Sequence, residues 1–200
     1  MIFMSKDLRI FIALAVSTTV KDAVRCLQNE LREQLPDNVV RWTRPEQFHL
    51  TLNFLGNIAA ENVEELVETV RGVCRDFGPI VLRAEKMGFF PLKGPPRVIW
   101  ISMQDERKEL PRLQRTIAAA TARFIAQNEE SDFTGHLTIG RARNLKPAQG
   151  LKMRELAKNY IGRSFGNWNA DVVEIMRSEL GPEGSRYSCL VEIPLKEQIG

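Results

Sequence analysis

The chain has two histidines among its 200 residues, His49 and His136, and each opens the same tripeptide, His-Leu-Thr, within the stretches FHLTLNFLG (48–56) and GHLTIGRAR (135–143). On an extended strand alternate side chains share a face. His49 and Thr51 therefore point one way while Leu50 and Leu52 enter a core, and His136 and Thr138 stand likewise against Leu137 and Ile139. Each segment offers one imidazole and one hydroxyl, about 7 Å apart along the strand. Imidazole is the side chain whose ordinary pKa lets one copy be neutral while another is protonated near pH 7. In-line displacement at phosphorus needs that combination, a base on the attacking oxygen and an acid on the departing one, on roughly opposite sides. Threonine hydroxyls can donate to the non-bridging oxygens, and a nearby guanidinium can offset their growing charge.

A single His-x-Thr on a strand is ordinarily a half-buried histidine satisfied by a backbone carbonyl. Here every histidine of the chain sits in that tripeptide, which is what a two-sided acid–base site requires. Arg141 lies five residues after His136, so strict alternation turns it away from His136 and Thr138; it reaches their face only if the strand ends or bulges, which Gly140 allows. Trp42, Trp100, Phe89 and Phe90 are aromatic enough to stack a base, although core packing accounts for each equally well. Other chemistries lack their motifs. HExxH and paired CxxC are absent, so no metal site is expected, and GxxxxGK[ST], GxGxxG and GxSxG are absent as well.

The elements needed to position the pair follow from periodicity. Leu8 to Val16 reads as a strand, and Thr19 to Leu35 as a helix with Val20, Ala23, Val24, Leu27 and Leu31 inward. The first histidine strand ends at Gly56, Glu61 to Phe77 reads as a helix, and Ile80 to Phe90 as a strand, broken by PLKGPP at 91–96. The order then repeats: a strand from Arg97 to Met103, a helix from Glu106 to Gln127, the second histidine strand, a helix around Gly150 to Tyr160, and a strand from Ala170 to Met176. The turn GPEG at 181–184 leads to a final hairpin strand, Tyr187 to Ile193. The histidines are 87 residues apart, as are the starts of the first helix in each half, Thr19 and Glu106, which suggests a duplicated unit.

The length suits one substantial domain or two small lobes sharing an interface. Hydrophobic residues at 44% and charged residues at 26% are a globular balance. The longest early apolar stretch, Ile10 to Val16, is far too short for a bilayer span and no signal peptide is read, so no membrane association is expected. Cys26, Cys74 and Cys189 are dispersed. Cys26 and Cys74 fall beside apolar neighbours on helices, so buried thiols in a reducing cytoplasm are expected. The net charge of +3 permits an anionic ligand. Position says more: Arg41 and Arg44 precede the first His-Leu-Thr, and Arg141, Arg143 and Lys146 follow the second.

The opening RIFIAL, RWTRPEQFHLTLNFLG, PPRVIWISM, GHLTIGRAR and the closing SELGPEGSRYSCL together resemble the two-histidine phosphoesterase superfamily, most closely its bacterial and archaeal RNA 2',3'-cyclic phosphodiesterases, also called 2'-5' RNA ligases. The resemblance spans nearly the whole chain and rests on the doubled HxTx motif, HLTL and HLTI. It implies a bilobal, pseudo-duplicated α+β fold, with antiparallel sheets facing a central cleft and helices outside, over residues 1–200 as a single domain. It implies hydrolysis of RNA 2',3'-cyclic phosphate ends, tRNA fragments among them, to 2'-phosphates by a monomer without metal or cofactor. By motif position His49 is then the proton donor to the departing 3' oxygen, His136 activates water, and Thr51, Thr138 and Arg141 hold the phosphate. With a ribose hydroxyl in place of water the same chemistry joins 2'-5' ends, and without a KxDG motif such joining is ATP-independent. Two alternatives stay open: a phosphodiesterase acting on a small cyclic nucleotide or an ADP-ribose cyclic phosphate, and a non-catalytic module that holds RNA ends.

Overall fold

The first strand, β1 (Leu8–Ala15), is buried without interruption from Ile10 to Leu14 because it lies between neighbours on both sides. The computed structural model describes residues 7–125, 133–143, 145–181 and 184–196. Helix α1 (Thr18–Gln34) starts where the Ser17 hydroxyl accepts the Val20 N–H. It buries Val20, Val24, Leu27 and Leu31 as their spacing predicts, and also Gln28. Next come β2 (Val40–Trp42), the first histidine strand β3 (His49–Ile58), α2 (Val63–Cys74) and β4 (Ile80–Phe90). The second half supplies β5 (Val98–Gln104), α3 (Glu109–Thr121), the second histidine strand β6 (His136–Ala142), α4 (Pro147–Lys158), β7 (Ser164–Ala170), β8 (Val172–Gly181) and β9 (Gly184–Pro194).

Several elements differ from the periodicity. Helix α3 begins three residues later than Glu106, because Lys108 takes a left-handed φ of 58° and the Asp105 carboxylate accepts the N–H groups of Arg107 and Leu110. Its expected end at Gln127 lies outside the described residues, as do Pro182 and Glu183 of the final turn. The expected strand from Ala170 is divided at Asp171 between β7 and β8. The short β2 and the Asn- and Gly-containing β7 carry too little apolar pattern to be read in advance. Cys26 is exposed, a correction to its expected burial: it lies on α1 between the buried Val24 and Leu27 but points outward, while Cys74 is buried.

The strands form one curled, half-barrel antiparallel sheet in the order β7-β4-β5-β6-β3-β1-β8-β9, with β2 added to β6. The expected facing sheets are thus continuous, joined between β3 and β6 through the pair Leu50 and Leu137. On one side of that pair runs β3-β1-β8-β9, on the other β6-β5-β4-β7. The sequence order repeats between the halves, yet the strands that follow each pair of helices are exchanged: β4 pairs with β5 of the later segment, and β8 returns to β1.

Both histidine strands carry an extra residue at the same place. Ala13 opposes Thr51 and Ile12 opposes Asn53, so Leu52 is skipped; Trp100 opposes Thr138 and Ile99 opposes Gly140, so Ile139 is skipped. Each bulge reverses the alternation beyond it. Each is also braced by the helix of the other half. The buried Gln28 amide on α1 donates to the carbonyls of Ile139 and Thr43, both at 2.8 Å, while Asn53 donates to the Thr121 hydroxyl on α3 at 3.0 Å. Gly140 is glycine for a local reason: a Cβ there would lie 2.8 Å from Val40 Cγ1, blocking β2 from its place on β6.

Replacing Gln28 with Leu removes a donor from two inward carbonyls and should cost about 1–3 kcal/mol in urea unfolding. Leu92→Ala, at a side chain 73% exposed, should stay within about 0.5 kcal/mol. Equal effects would contradict the bracing role.

Candidate active site

Each histidine follows a residue pair whose backbone fixes its ring. His49 Nδ1 lies 2.7 Å from the carbonyl oxygen of Gln47, and His136 Nδ1 lies 2.7 Å from that of Thr134. A carbonyl oxygen can only accept, so Nδ1 carries a hydrogen in both rings and Nε2 is left to accept or donate elsewhere. The satisfied-histidine reading and the catalytic reading therefore apply to different nitrogens of the same ring. Gln47 is held in turn, its side-chain amide donating to the Ser185 carbonyl at the start of β9.

The rings are also walled by aromatics. Phe11 and Tyr187 stand 4.7 Å and 5.1 Å from the His49 ring, and Phe90 and Trp100 stand 5.1 Å and 6.2 Å from that of His136. Burial disfavours the imidazolium and holds both histidines below their ordinary pKa of 6.5, against the carbonyl hydrogen bonds, which raise it. For His49 the charge of His136 adds to this, and the Arg141 guanidinium presses both down, which puts all three groups within electrostatic reach of one another.

His49, Thr51, His136, Thr138 and Arg141, the five residues singled out by sequence, all line one cleft of about 320 Å³. Arg141 arrives there because of the bulge at Ile139: Val98 opposes it in the same alternation that places Trp100 against Thr138. The condition set by strict alternation is thus met by the structure at the residue pair Ile139 and Gly140. Directly across from Arg141 on β2 stands Arg41, also a cleft residue. The two guanidinium groups give this end of the cleft a positive lining. Of the other basic flanking residues, Arg44, Arg143 and Lys146 are exposed and do not line the cleft.

Sequence reasoning missed several cleft residues. Arg9 and Phe11 come from β1, Phe54 from β3, and Ser178, Ser185 and Tyr187 from β8 and β9. Strand pairing across more than a hundred residues brings the last three in, and no local signal marks them. Among the proposed stacking aromatics, Trp42 lines the cleft, Phe90 and Trp100 back His136, and Phe89 is core. Among the described residues the cluster with metal-ligand chemistry is Glu174, Cys189 and Glu192, whose ligand atoms lie within 4.8 Å of one another. None of the three lines the cleft, and neither histidine belongs to the cluster. No described helix is long and apolar enough to cross a membrane.

The arrangement has known counterparts. The model of the LigT like phosphoesterase family matches residues 14–100. A protein of Archaeoglobus fulgidus named RNA 2',3'-cyclic phosphodiesterase is 30% identical over 183 residues, 92% of this chain and 98% of its own. One of the same name from Aquifex aeolicus is 24% identical over 95% of this chain and 98% of its own. Among solved structures, TT0787 of Thermus thermophilus superposes with a TM-score of 0.79 at 25% identity, covering 96% of this chain and all of the other. LigT of E. coli complexed with 3'-AMP shares the fold, with a TM-score of 0.75 over the same share of each chain at 19% identity. With both histidine motifs in one cleft and relatives matched nearly end to end, the chain belongs to the LigT-like phosphoesterase family.

Proposed function

We propose that the chain hydrolyses RNA 2',3'-cyclic phosphate ends to 2'-phosphomonoesters, without a metal, by proton transfer through His49 and His136. The observation that carries this reading is the carbonyl-held Nδ1 of both rings in a cleft shared with Arg141. With Nδ1 committed, each Nε2 can do one job at the phosphorus. His136 accepts a proton from the attacking water, the P–O3' bond breaks, and the departing 3' oxygen takes a proton from His49, leaving a 2'-phosphate and a 3'-hydroxyl. The roles of donor and acceptor follow the family's motif order. Thr51 and Thr138 donate to the non-bridging oxygens, and Arg141 supplies charge as they become more negative.

The reading extends to the whole of residues 1–200 as one catalytic domain of two lobes, acting as a monomer: each proton carrier and charge in the mechanism belongs to one chain's cleft. Three free cysteines suit a reducing compartment such as the cytoplasm. A ribose hydroxyl in place of water gives ATP-independent 2'-5' joining by the reverse of the same steps. The cleft's paired Arg141 and Arg41 favour a nucleic-acid end over a neutral ligand.

The deciding experiment is turnover of a short RNA with a 2',3'-cyclic phosphate end in the presence of EDTA. His49→Ala and His136→Ala should each lower kcat/KM by about 10²- to 10⁴-fold, and the wild-type product should be the 2'-phosphate. An RNA that is bound but left intact would remove the enzyme reading for this substrate and favour the small-nucleotide or binding-module alternatives.

Arg141→Lys keeps the charge but loses the planar fork, and should cost about tenfold in kcat/KM. A loss below twofold would take Arg141 out of the phosphate site.

The pH dependence follows from the lowered histidine pKa values. Turnover needs one imidazole protonated and one neutral, and in the free protein both lose their protons below pH 6.5. The kcat/KM profile should therefore be bell-shaped and fall as pH rises through the neutral range, approaching about tenfold per unit. Bound phosphodiester carries a negative charge that favours the imidazolium, so the corresponding limb of kcat should lie at higher pH. A flat profile from pH 5 to 9 would count against paired imidazoles.

A further inference from the structure

The aromatic wall behind His136 is held from outside the cleft. Phe90, the last residue of β4, meets the His136 ring edge-on at 5.1 Å and packs on Trp100 at 5.1 Å. It leads directly into the hairpin loop 91–96, which is closed by the Arg97 N–H on the Phe90 carbonyl. Pro91, Pro95 and Pro96 have no N–H to donate, so this loop can do little to fix itself. Arg154 on α4 supplies the missing donors. Its Nη2 donates to the carbonyls of Pro91 at 2.9 Å and Gly94 at 2.7 Å, and its Nε donates to that of Gly94 at 3.1 Å. The same guanidinium carbon lies 5.4 Å from the ring centroid of the buried Phe89. One turn earlier on the helix, Gly150 lets α4 approach the loop closely: a Cβ there would lie 3.2 Å from Pro96 Cδ.

A planar fork on two carbonyls fixes both distance and angle, which a single contact does not. The first of those carbonyls belongs to the residue next to Phe90. We propose that Arg154 is a positioning residue for His136: by clamping the 91–94 segment onto α4 it holds Phe90 against the imidazole. Arg154 does not line the cleft, so it acts through the loop and not on the substrate. Its consequence for turnover rests on the phosphodiesterase reading above. Releasing the clamp lets Phe90 move off the ring and water reach it, and burial is the largest cause of the lowered His136 pKa. The charged and titratable groups facing His136 are Arg141 on its own strand, His49 from β3, and Arg9, Arg41 and Tyr187 from the other cleft strands. From β4 and β5 come Phe90, Trp100 and, in register with His136, Ser102. Replacing Arg154 leaves all of these in the chain, so a change confined to His136 reports the wall.

The test is the pKa of each histidine by NMR titration, together with kinetics on the RNA that ends in a 2',3'-cyclic phosphate. Arg154→Ala should raise the His136 pKa by about half a unit or more and leave that of His49 within about 0.2. It should lower kcat about three- to tenfold with KM changed less than about twofold, since a ring out of line slows the chemistry without touching the substrate. Phe90→Leu should raise the His136 pKa likewise, and adding Arg154→Ala to it should bring no further rise, because both act through the same contact. Arg154→Lys keeps the charge but not the fork, and should retain at least about half of the Arg154→Ala shift. An unchanged His136 pKa, an equal shift in both rings, additivity with Phe90→Leu, or full restoration by Arg154→Lys overturns the clamp. A wild type that binds the RNA and leaves it intact overturns the phosphodiesterase reading, and the pKa comparison still decides the clamp.

Discussion

Two backbone hydrogen bonds set the terms for everything in the cleft: His49 Nδ1 to the Gln47 carbonyl and His136 Nδ1 to the Thr134 carbonyl. Each carbonyl belongs to the residue two before the histidine, just ahead of the strand, so the backbone that starts the strand also sets the tautomer. A ring turned over at His49 would leave the partly buried Gln47 carbonyl without its donor, at a cost of about 1–3 kcal/mol, and in either ring it would take the free nitrogen out of the cleft. The aromatic walls oppose the same rotation by filling the space around each ring. Burial then favours the neutral form of both imidazoles, lowering their pKa from the ordinary 6.5.

The sheet explains why two such devices stay opposed. β3 and β6 meet at Leu50 and Leu137, both fully buried, with a histidine immediately before each leucine on the other face. Neither half holds its own bulge alone, because α1 reaches the Ile139 carbonyl and α3 reaches Asn53. With β4 and β8 also exchanged between the halves, loosening one half loosens the histidine strand of the other. The two histidine strands are therefore held together as one unit, each braced by a helix from the other half.

The site was largely readable from the chain because its chemistry is concentrated in two short strands, where alternation fixes which side chains share a face. Arg141 marks the limit of that logic. Alternation alone points it the wrong way, and the register shift that redirects it comes from pairing with β5 and from a buried amide more than a hundred residues earlier. Tyr187, Ser178 and Ser185 were out of reach for the same reason: β8 and β9 join the cleft through β1, a contact with no local signature. Of the fold, the long amphipathic helices and apolar strands were legible, whereas β2 and β7 depend on neighbours to make them strands. Gln28 and Cys26 show the residual ambiguity of a helical face, the first polar yet buried and the second apolar in type yet exposed.

The most direct test of the central claim is the tautomer of the two histidines, read from ¹⁵N-resolved NMR of the imidazole rings at a pH where both are neutral. With only His49 and His136 in the chain, assignment needs a single His→Ala variant. The account predicts that both rings carry their proton on Nδ1, the form less common in free histidine, with Nε2 unprotonated and sensitive to added phosphate. A neutral ring protonated on Nε2 in place of Nδ1 would contradict it, because the Gln47 or Thr134 carbonyl would then have no donor and the carbonyl-held geometry would not describe the site.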